Sequence, residues 1–173
     1  MTVSIELQME QMGQRAKKAP RVLSAAAPAA KTQALRALAA LLIERQPDIL
    51  KANALDVNAA KAANMDAPRL DRLTLTPRIM ADMADACLHV AEMADEVGVI
   101  EQQWQRPNGL MIGKMRIPLG VIAMIFESRP NVTIDAAILC LKAGDAVILR
   151  GGSEAIHSNL ALAGLLHEAL RSA

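Results

Sequence analysis

Residues 116–154 constrain the fold most, because two short Val- and Ile-rich runs flank a segment with the length and spacing of a helix. The runs are residues 120–126 and 146–149, and the helical segment is 133–142. Each run ends in polar or glycine-rich residues, and the helical segment stops at Gly144. Strand, polar turn, helix, glycine stop and strand is the order of a βαβ unit with parallel strands.

The loops that follow the two strands are the expected place for function. In parallel α/β units, ligands bind at the carboxyl ends of strands, where loops lead into helix N-termini. The first loop, 127–131, contains Arg129, which would suit an anionic substrate group or an oxyanion, although a surface arginine that closes a turn is the alternative. Glu127 and Asp135 could act as general bases, but Asp135 lies in the first helical turn, where it complements the helix dipole without any catalysis.

The second loop carries Arg150, Gly151, Gly152 and Ser153. Adjacent glycines would allow a phosphate or a ribose to approach closely, and Arg150 could supply the positive charge. The pattern is neither G-x-G-x-x-G nor a P-loop, so neither motif predicts a cofactor here.

The residues before Val97 predict helices and no catalytic cluster. Helices are expected at 4–18, at 29–45, from Pro47 and from Pro77, with 64–72 as a connection containing one helical turn. Thr76-Pro77 is a start signal, with a hydroxyl N-cap before a proline. In the Pro47 helix the inward positions are expected to be Ile49, Leu50, Ala54 and Val57. The expected solvent-facing carboxylates near the Pro77 helix are Asp82, Asp85, Glu92, Asp95 and Glu96.

Residues 97–104 and 110–117 predict two strands joined around Asn108-Gly109, a dipeptide typical of hairpins. Residues after Glu154 predict an amphipathic helix that reaches the C-terminus. A βαβα segment has only two core strands, which leaves its sheet edges open. The sequence is therefore interpreted as the N-terminal portion of a longer protein or a truncated product, and it is expected to self-associate.

Composition excludes several classes of function. With 1% aromatic residues and a net charge of +1, a nucleic-acid role is not expected. The apolar runs are shorter than the roughly 20 residues that span a bilayer, and no signal peptide opens the chain. Cys87 and Cys140 lie in apolar helical patterns, which predicts reduced, structural thiols, a cytoplasmic location and no nucleophile. No metal site is predicted.

Three stretches together resemble the gamma-glutamyl phosphate reductase (glutamate-5-semialdehyde dehydrogenase) family of the aldehyde dehydrogenase superfamily. They are 49–57 (ILKANALDV), 70–77 (LDRLTLTP) and 118–152. The resemblance implies an α/β fold, the N-terminal portion of an aldehyde-dehydrogenase-like cofactor-binding domain. Its expected components are a helical region at 1–96, a β-hairpin oligomerisation arm at 97–117 and a parallel βαβα core at 118–173.

The resemblance implies NADPH-dependent reduction of L-glutamyl 5-phosphate to L-glutamate 5-semialdehyde in proline biosynthesis. Family members are longer, and their catalytic cysteine belongs to a later catalytic domain that this sequence lacks. The chain is therefore expected to contain no catalytic residue and to be inactive alone. The resemblance also implies a homo-oligomer formed through 97–117 and an association with glutamate 5-kinase.

The resemblance assigns site residues in both loops. The superfamily's Pro-Trp-Asn falls on Glu127-Ser128-Arg129, so this chain departs from the oxyanion motif, and Arg129 with Asn131 is expected to bind the acyl phosphate. The superfamily's ribose-binding lysine falls on Arg150. The position of its ribose-binding Glu falls on Ser153, which leaves room for a 2′-phosphate, or on Glu154 if the alignment shifts by one. The expected cofactor-binding residues are Arg150, Gly151, Gly152, Ser153 and Glu154.

Two alternative functions remain, each from a class other than the enzymes. One is a truncated, non-catalytic module that keeps the helices and the hairpin and binds partner subunits. The other is a helical protein without a ligand, which the long match at 118–152 disfavours.

Overall fold

The computed structural model describes residues 4–173; residues 1–3, at the start of the predicted helical region, lie outside the described residues. The helices are α1 (Ile5–Ala25), α2 (Pro28–Glu44), α3 (Gln46–Ala62), α4 (Ala67–Leu73), α5 (Pro77–Glu92), α6 (Val132–Ala143) and α7 (Ile156–Ser172). The strands are β1 (Ile100–Gln105), β2 (Met111–Met115), β3 (Val121–Ile125) and β4 (Ala146–Arg150), and a 3-10 turn at Ser153–Ala155 precedes α7.

Local capping explains where several helices begin. The Thr76 hydroxyl accepts the N–H of Ile79 at 3.2 Å, so the start predicted at Thr76-Pro77 is confirmed. Asp66 caps α4 in the same way, through the N–H of Arg69 at 2.9 Å. The connection with one helical turn predicted at 64–72 contains a longer, seven-residue helix, because this cap and the proline in the first turn start it.

The first helix is longer than the predicted 4–18, and Pro20 lies inside it. A proline in a helix interior removes one backbone hydrogen bond, which is why the sequence pattern alone ends the helix earlier. In the folded chain α1 lies against β4 and β3, and this tertiary contact accompanies the continuation to Ala25.

The predicted βαβ unit is confirmed. β3 and β4 pair in parallel, from Val121 opposite Ala146 to Ile125 opposite Arg150, and α6 connects them. α6 ends at Gly144, whose φ of +78° is the left-handed conformation that glycine adopts most easily. The main core forms where α2, α5, α6 and α7 pack together, with fully buried side chains that include Leu35, Leu38, Leu42, Met80, Ile134 and Leu162. The α/β fold class is therefore confirmed.

The predicted hairpin is also present. β1 and β2 pair antiparallel, and the N–H of Arg106 donates to the carbonyl of Leu110 at 2.8 Å across a turn with Gly109 at φ +86°. In the described part of the chain these strands form their own two-stranded sheet, separate from β3 and β4. All residues of β1 are exposed. The division into domains at 97 and 118, and the role of the hairpin as an oligomerisation arm, stay predictions.

Two expectations about burial were wrong. Ala54 is exposed, whereas its neighbours Asn53 and Asp56 are buried at 3% and 2% exposure. Hydrophobic spacing could not show this, because hydrogen bonds to residues distant in sequence draw these two polar side chains inward. Asp95 does not lie on the solvent side of a helix, because α5 ends at Glu92. It forms an ion pair of 2.6 Å with the buried Lys31.

Candidate functional site

The two loops predicted to carry function meet at one cleft. Because β3 and β4 are parallel neighbours, their carboxyl ends lie side by side, and the N–H of Phe126 donates to the carbonyl of Arg150 at 3.1 Å. The cleft has a volume of about 290 Å³. It is lined by Met65, Arg69, Glu127, Ser128, Arg150, Gly152, Ser153 and Glu154.

A carboxylate from the second loop binds the first. One oxygen of Glu154, Oε1, accepts the backbone N–H of Ser128 at 2.7 Å and its hydroxyl at 2.9 Å. Burial of the carboxylate opposes its ionisation. Hydrogen bonds from its own N–H and from Ser128, together with the charge of Arg150, outweigh burial and hold the pKa of Glu154 below its usual value. Glu154 is therefore an ionised acceptor at neutral pH.

Arg129 is presented outward from an anchored turn. Ser128 and Pro130, on either side of it, are buried, whereas Arg129 is exposed. The carbonyl of Arg129 accepts the N–H of Val132 at 3.0 Å, which ties its backbone to the start of α6. Within residues 4–173 its guanidinium takes part in no ion pair. The backbone is held, and the positive charge remains available to an anion.

The second predicted substrate residue, Asn131, already has an internal partner. Its side-chain amide donates to Oδ2 of Asp135 at 3.0 Å. Burial raises the pKa of Asp135 above its usual value, and the hydrogen bond from Asn131 partly offsets that rise. Both side chains are half-buried at the start of α6, beside the turn that carries Arg129.

The two glycines of the second loop have packing reasons to be glycine. A side chain at Gly151 would meet Asn159 and Phe126, and one at Gly152 would meet the carboxylate of Glu154. Arg150 and Ser153, by contrast, are exposed. The glycines therefore allow α7 and Glu154 to lie close to the end of β4. The sequence pattern predicted a different role for them, the close approach of a phosphate or a ribose.

Sequence reasoning missed Met65 and Arg69, which line the cleft from the end of the α3–α4 connection and from α4. Arg69 is anchored by Asp66, which lies 3.3 Å from its Nε, and its side chain is 61% exposed. The signal that could have indicated this region is Asp66-Ala-Pro, an N-cap followed by a proline. No local signal shows that α4 would face the carboxyl ends of β3 and β4.

The cleft contains basic and hydroxyl side chains together with the carboxylates of Glu127 and Glu154. The cleft combines Arg69 and Arg150 with exposed Ser153, a composition that suits a ligand with phosphate and hydroxyl groups. Among residues 4–173 no group of three or more His, Cys, Asp or Glu side chains is arranged to hold a metal ion.

Neither cysteine is suited to be a nucleophile. Cys87 is buried in the helical core, and this burial, together with the charge of Asp135, raises its pKa to about 12. Burial also raises the pKa of Cys140. A thiol must ionise to attack, so both remain inert at neutral pH.

No helix within residues 4–173 is long and apolar enough to cross a membrane. No protein-family model matches the chain.

Curated relatives match nearly all of the chain. It is 69% identical to the gamma-glutamyl phosphate reductase of Nitratidesulfovibrio vulgaris over 98% of this chain and 41% of the relative. The identity is 66% with the protein of that name from Desulfovibrio desulfuricans, over 94% of this chain and 38% of the relative. It is 50% with the Meiothermus ruber protein, over 96% of this chain and 40% of the relative. The chain thus spans about two fifths of the length of these relatives.

Solved structures of proteins with the same name are also similar to this chain. The crystal structure of gamma-glutamyl phosphate reductase from Thermotoga maritima has a TM-score of 0.89 and 39% identity, over 92% of this chain and 38% of that one. The Saccharomyces cerevisiae enzyme has a TM-score of 0.88 and 28% identity, over 94% of this chain and 41% of that one. A probable aldehyde dehydrogenase from Listeria monocytogenes (TM-score 0.70, 15% identity, 96% of this chain and 34% of that one) shows the shared fold alone. The resemblance predicted from the sequence is therefore confirmed.

Proposed function

We propose that this chain is the cofactor-binding portion of a gamma-glutamyl phosphate reductase. The longer protein would reduce L-glutamyl 5-phosphate to L-glutamate 5-semialdehyde, with release of phosphate, in proline biosynthesis. The observation that carries the proposal is the identity of 50–69% to curated proteins of that name over 94–98% of this chain. A nicotinamide cofactor supplies the hydride in this chemistry, and this chain would bind and orient it.

NADPH is the proposed cofactor. Arg150 and Arg69 supply positive charge to the cleft, and Ser153 is a small, exposed, neutral residue beside them. A neutral residue at that position leaves room for a 2′-phosphate, which an arginine can bind through charge-assisted hydrogen bonds. Gly151 and Gly152 complete the proposed cofactor loop, and Glu154 lines it with one carboxylate oxygen free of the Ser128 contacts.

The loop at 127–131 is the proposed substrate side. Arg129, exposed and without an ion pair in residues 4–173, would bind the anionic acyl phosphate, and Asn131 would support it from the start of α6. Because burial raises the pKa of both cysteine thiols, the nucleophile that attacks the acyl phosphate is proposed to come from residues other than those of this chain.

A binding experiment tests the cofactor assignment. The 173-residue chain is titrated with NADPH and, separately, with NADH, and nicotinamide fluorescence reports binding. We expect Arg150→Ala to weaken NADPH binding by about tenfold or more and NADH binding less, since only NADPH carries the 2′-phosphate. Arg106→Ala, an exposed arginine in the hairpin turn, is the matched control. Equal loss for both cofactors would contradict the 2′-phosphate assignment.

A second experiment tests the reaction. The 173-residue chain is expected to give no reduction of L-glutamyl 5-phosphate above background, because it contains no thiol that ionises near neutral pH. Turnover by the purified chain would overturn this aspect of the proposal. Proline-free growth of a reductase-deficient strain, supported by a longer protein that includes this chain, would support it.

The hairpin is proposed to mediate self-association. Trp104, Met111 and Met115 are each about half exposed on its two strands, and no third strand covers it in the described residues. Sedimentation of Trp104→Lys against the parent chain tests this. Cytoplasmic location, supported by two free cysteines, and association with glutamate 5-kinase also belong to the proposal. Co-purification with the kinase would test the association.

A further inference from the structure

Ser128 has a backbone conformation that needs support from its surroundings. Its φ is +43°, and within residues 4–173 the other non-glycine residue with a positive φ is Asn64. The Cβ of any residue other than glycine crowds the backbone in this left-handed region. Asparagine offsets the crowding with local hydrogen bonds from its side chain and adopts the region fairly readily, whereas serine does so less often. Such a residue persists where neighbouring contacts hold it, and it is found most often at functional loops.

The support comes from a residue of the other loop. Glu154 accepts both donors of Ser128, the N–H at 2.7 Å and the hydroxyl at 2.9 Å, through the same oxygen. Ser128 is 7% exposed, so water offers little replacement for these bonds. Gly152 contributes to the arrangement, because a side chain there would meet the Glu154 carboxylate.

The conformation of Ser128 determines how the next residue is presented. Ser128 and Pro130 are buried, and Arg129 between them is exposed. If Ser128 returned to the common negative-φ region, the chain direction at Arg129 would change, and its guanidinium would be displaced. The two hydrogen bonds from Ser128 to Glu154 are thus coupled to the placement of a positive charge one residue away.

We propose that Glu154 is a positioning residue, which holds Ser128 in the left-handed conformation and thereby fixes Arg129 for anion binding. In this way the loop at 150–154, which contributes to the cofactor cleft, sets the geometry of the loop at 127–131, which faces the substrate. The effect of Glu154 on Ser128 and Arg129 follows from the hydrogen-bond geometry alone. The further step, that Arg129 then binds the acyl phosphate, rests on the proposed function.

Amide hydrogen exchange of the 173-residue chain tests the link. In Glu154→Ala, we expect exchange at the hydrogen-bonded amides of Ser128 and Val132 to accelerate by about tenfold or more, with α2 and α5 unchanged, because the opening is local. Glu154→Gln keeps a carbonyl acceptor and should restore some of the protection. Glu92→Ala, an exposed carboxylate at the end of α5, is the matched control and should change nothing at 128–132.

A second variant separates positioning from general loosening. In the Glu154→Ala background, Ser128→Gly introduces the one residue that adopts a positive φ without crowding, so exchange at the amide of Val132 should become slower again. Unchanged exchange in Glu154→Ala, or equal acceleration in α2 and α5, would overturn the proposal. Failure of Ser128→Gly to slow the exchange would also count against it.

Binding of inorganic phosphate reports directly on the placement of the Arg129 guanidinium. Because Arg150 can bind phosphate as well, the titration uses Arg150→Ala, which serves as the parent chain here. In this parent, phosphorus NMR should show phosphate binding that Arg129→Ala largely removes and that Glu154→Ala weakens by about tenfold. Full affinity in Glu154→Ala would overturn the positioning role. Binding in the parent chain that Arg129→Ala leaves intact would contradict the substrate assignment of Arg129, while the exchange experiment still decides the role of Glu154.

Discussion

Two carboxylates in this molecule make the same kind of contact in different surroundings. Asp56 in α3 accepts the N–H of Ser158 at 2.8 Å and its hydroxyl at 2.6 Å, as Glu154 does with Ser128. Asp56 is 2% exposed and lies between two helices, whereas Glu154 is half-buried and lines an open cleft. One contact joins elements of the core, and the other joins two loops of the proposed site.

The Asp56 contact belongs to a larger buried network. Asp56 also accepts the N–H of His157 at 3.2 Å, and α7 has no capping side chain of its own at its start. Asn53, one turn earlier, donates to Ser158 and to the carbonyl of Leu73 and accepts the N–H of Leu75. The surroundings of a carboxylate–serine contact, more than the hydrogen bonds themselves, therefore decide whether it maintains the fold or shapes a site.

The largest expected effect is that of Asp56→Ala. It leaves two backbone N–H groups and the buried Ser158 hydroxyl without their acceptor, so we expect a loss of about 4 kcal/mol in the free energy of unfolding. Urea unfolding of the chain measures it. Asp48→Ala, an exposed aspartate in the first turn of the same helix, should cost less than about 1 kcal/mol. Similar losses for Asp56→Ala and Asp48→Ala would show that the contact between Asp56 and Ser158 does not maintain the fold.

A smaller effect is expected from Gly152→Ala. The glycine has φ −65° and ψ 151°, which alanine also adopts, so the cost comes from contact between the new methyl group and the Glu154 carboxylate. Displacing that carboxylate should cost about 1.5–3 kcal/mol, the usual range for a hydrogen bond to a charged group.

A double-mutant cycle sharpens this test. Because Gly152→Ala and Glu154→Ala disrupt the same contact, their combined loss should be well below the sum of the two single losses. Additive losses would show that Gly152 is required for another reason.

Acid should release the Glu154 contact. Its pKa in the folded chain is below its usual value, so its contribution to stability is present at and above that usual value and is lost as the pH falls through the lower, folded-state pKa. The difference in unfolding free energy between the parent chain and Glu154→Gln should therefore shrink in acid. Asp95 has a lowered pKa too, because its bonds with Lys31 and with the N–H of Val97 outweigh its burial. Introducing Asp95→Asn into both the parent chain and Glu154→Gln removes the contribution of Asp95 to the pH dependence of stability.

The smallest expected effect is that of Arg129→Ala on stability. The side chain is exposed and makes no ion pair within residues 4–173, so the free energy of unfolding should stay within about 0.5 kcal/mol of the parent value. Thermal unfolding measures it, beside the loss of phosphate binding described above. A large destabilisation would mean that Arg129 belongs with Asp56, as a residue that maintains the fold.

Local sequence signals account for much of the architecture. The Val- and Ile-rich runs, the glycine stop at 144, the Asn108-Gly109 turn and the Thr76-Pro77 start are all properties of neighbouring residues, and each predicted element is present. The prediction that ligand chemistry would gather at 127–131 and 150–154 followed from parallel strand pairing, and the structure brings both loops to one cleft.

Only the tertiary structure decided which polar residues lie inside and what each strand-end residue contacts. Asn53, Asp56 and Lys31 interrupt the hydrophobic spacing, and their burial depends on partners between about 20 and 111 positions away in sequence. Arg69 reaches the cleft, and Glu154 reaches Ser128 26 positions earlier in the chain, because helix packing places them there. Sequence periodicity records which face of an element is apolar, but a hydrogen bond between distant segments exists only once those segments have packed.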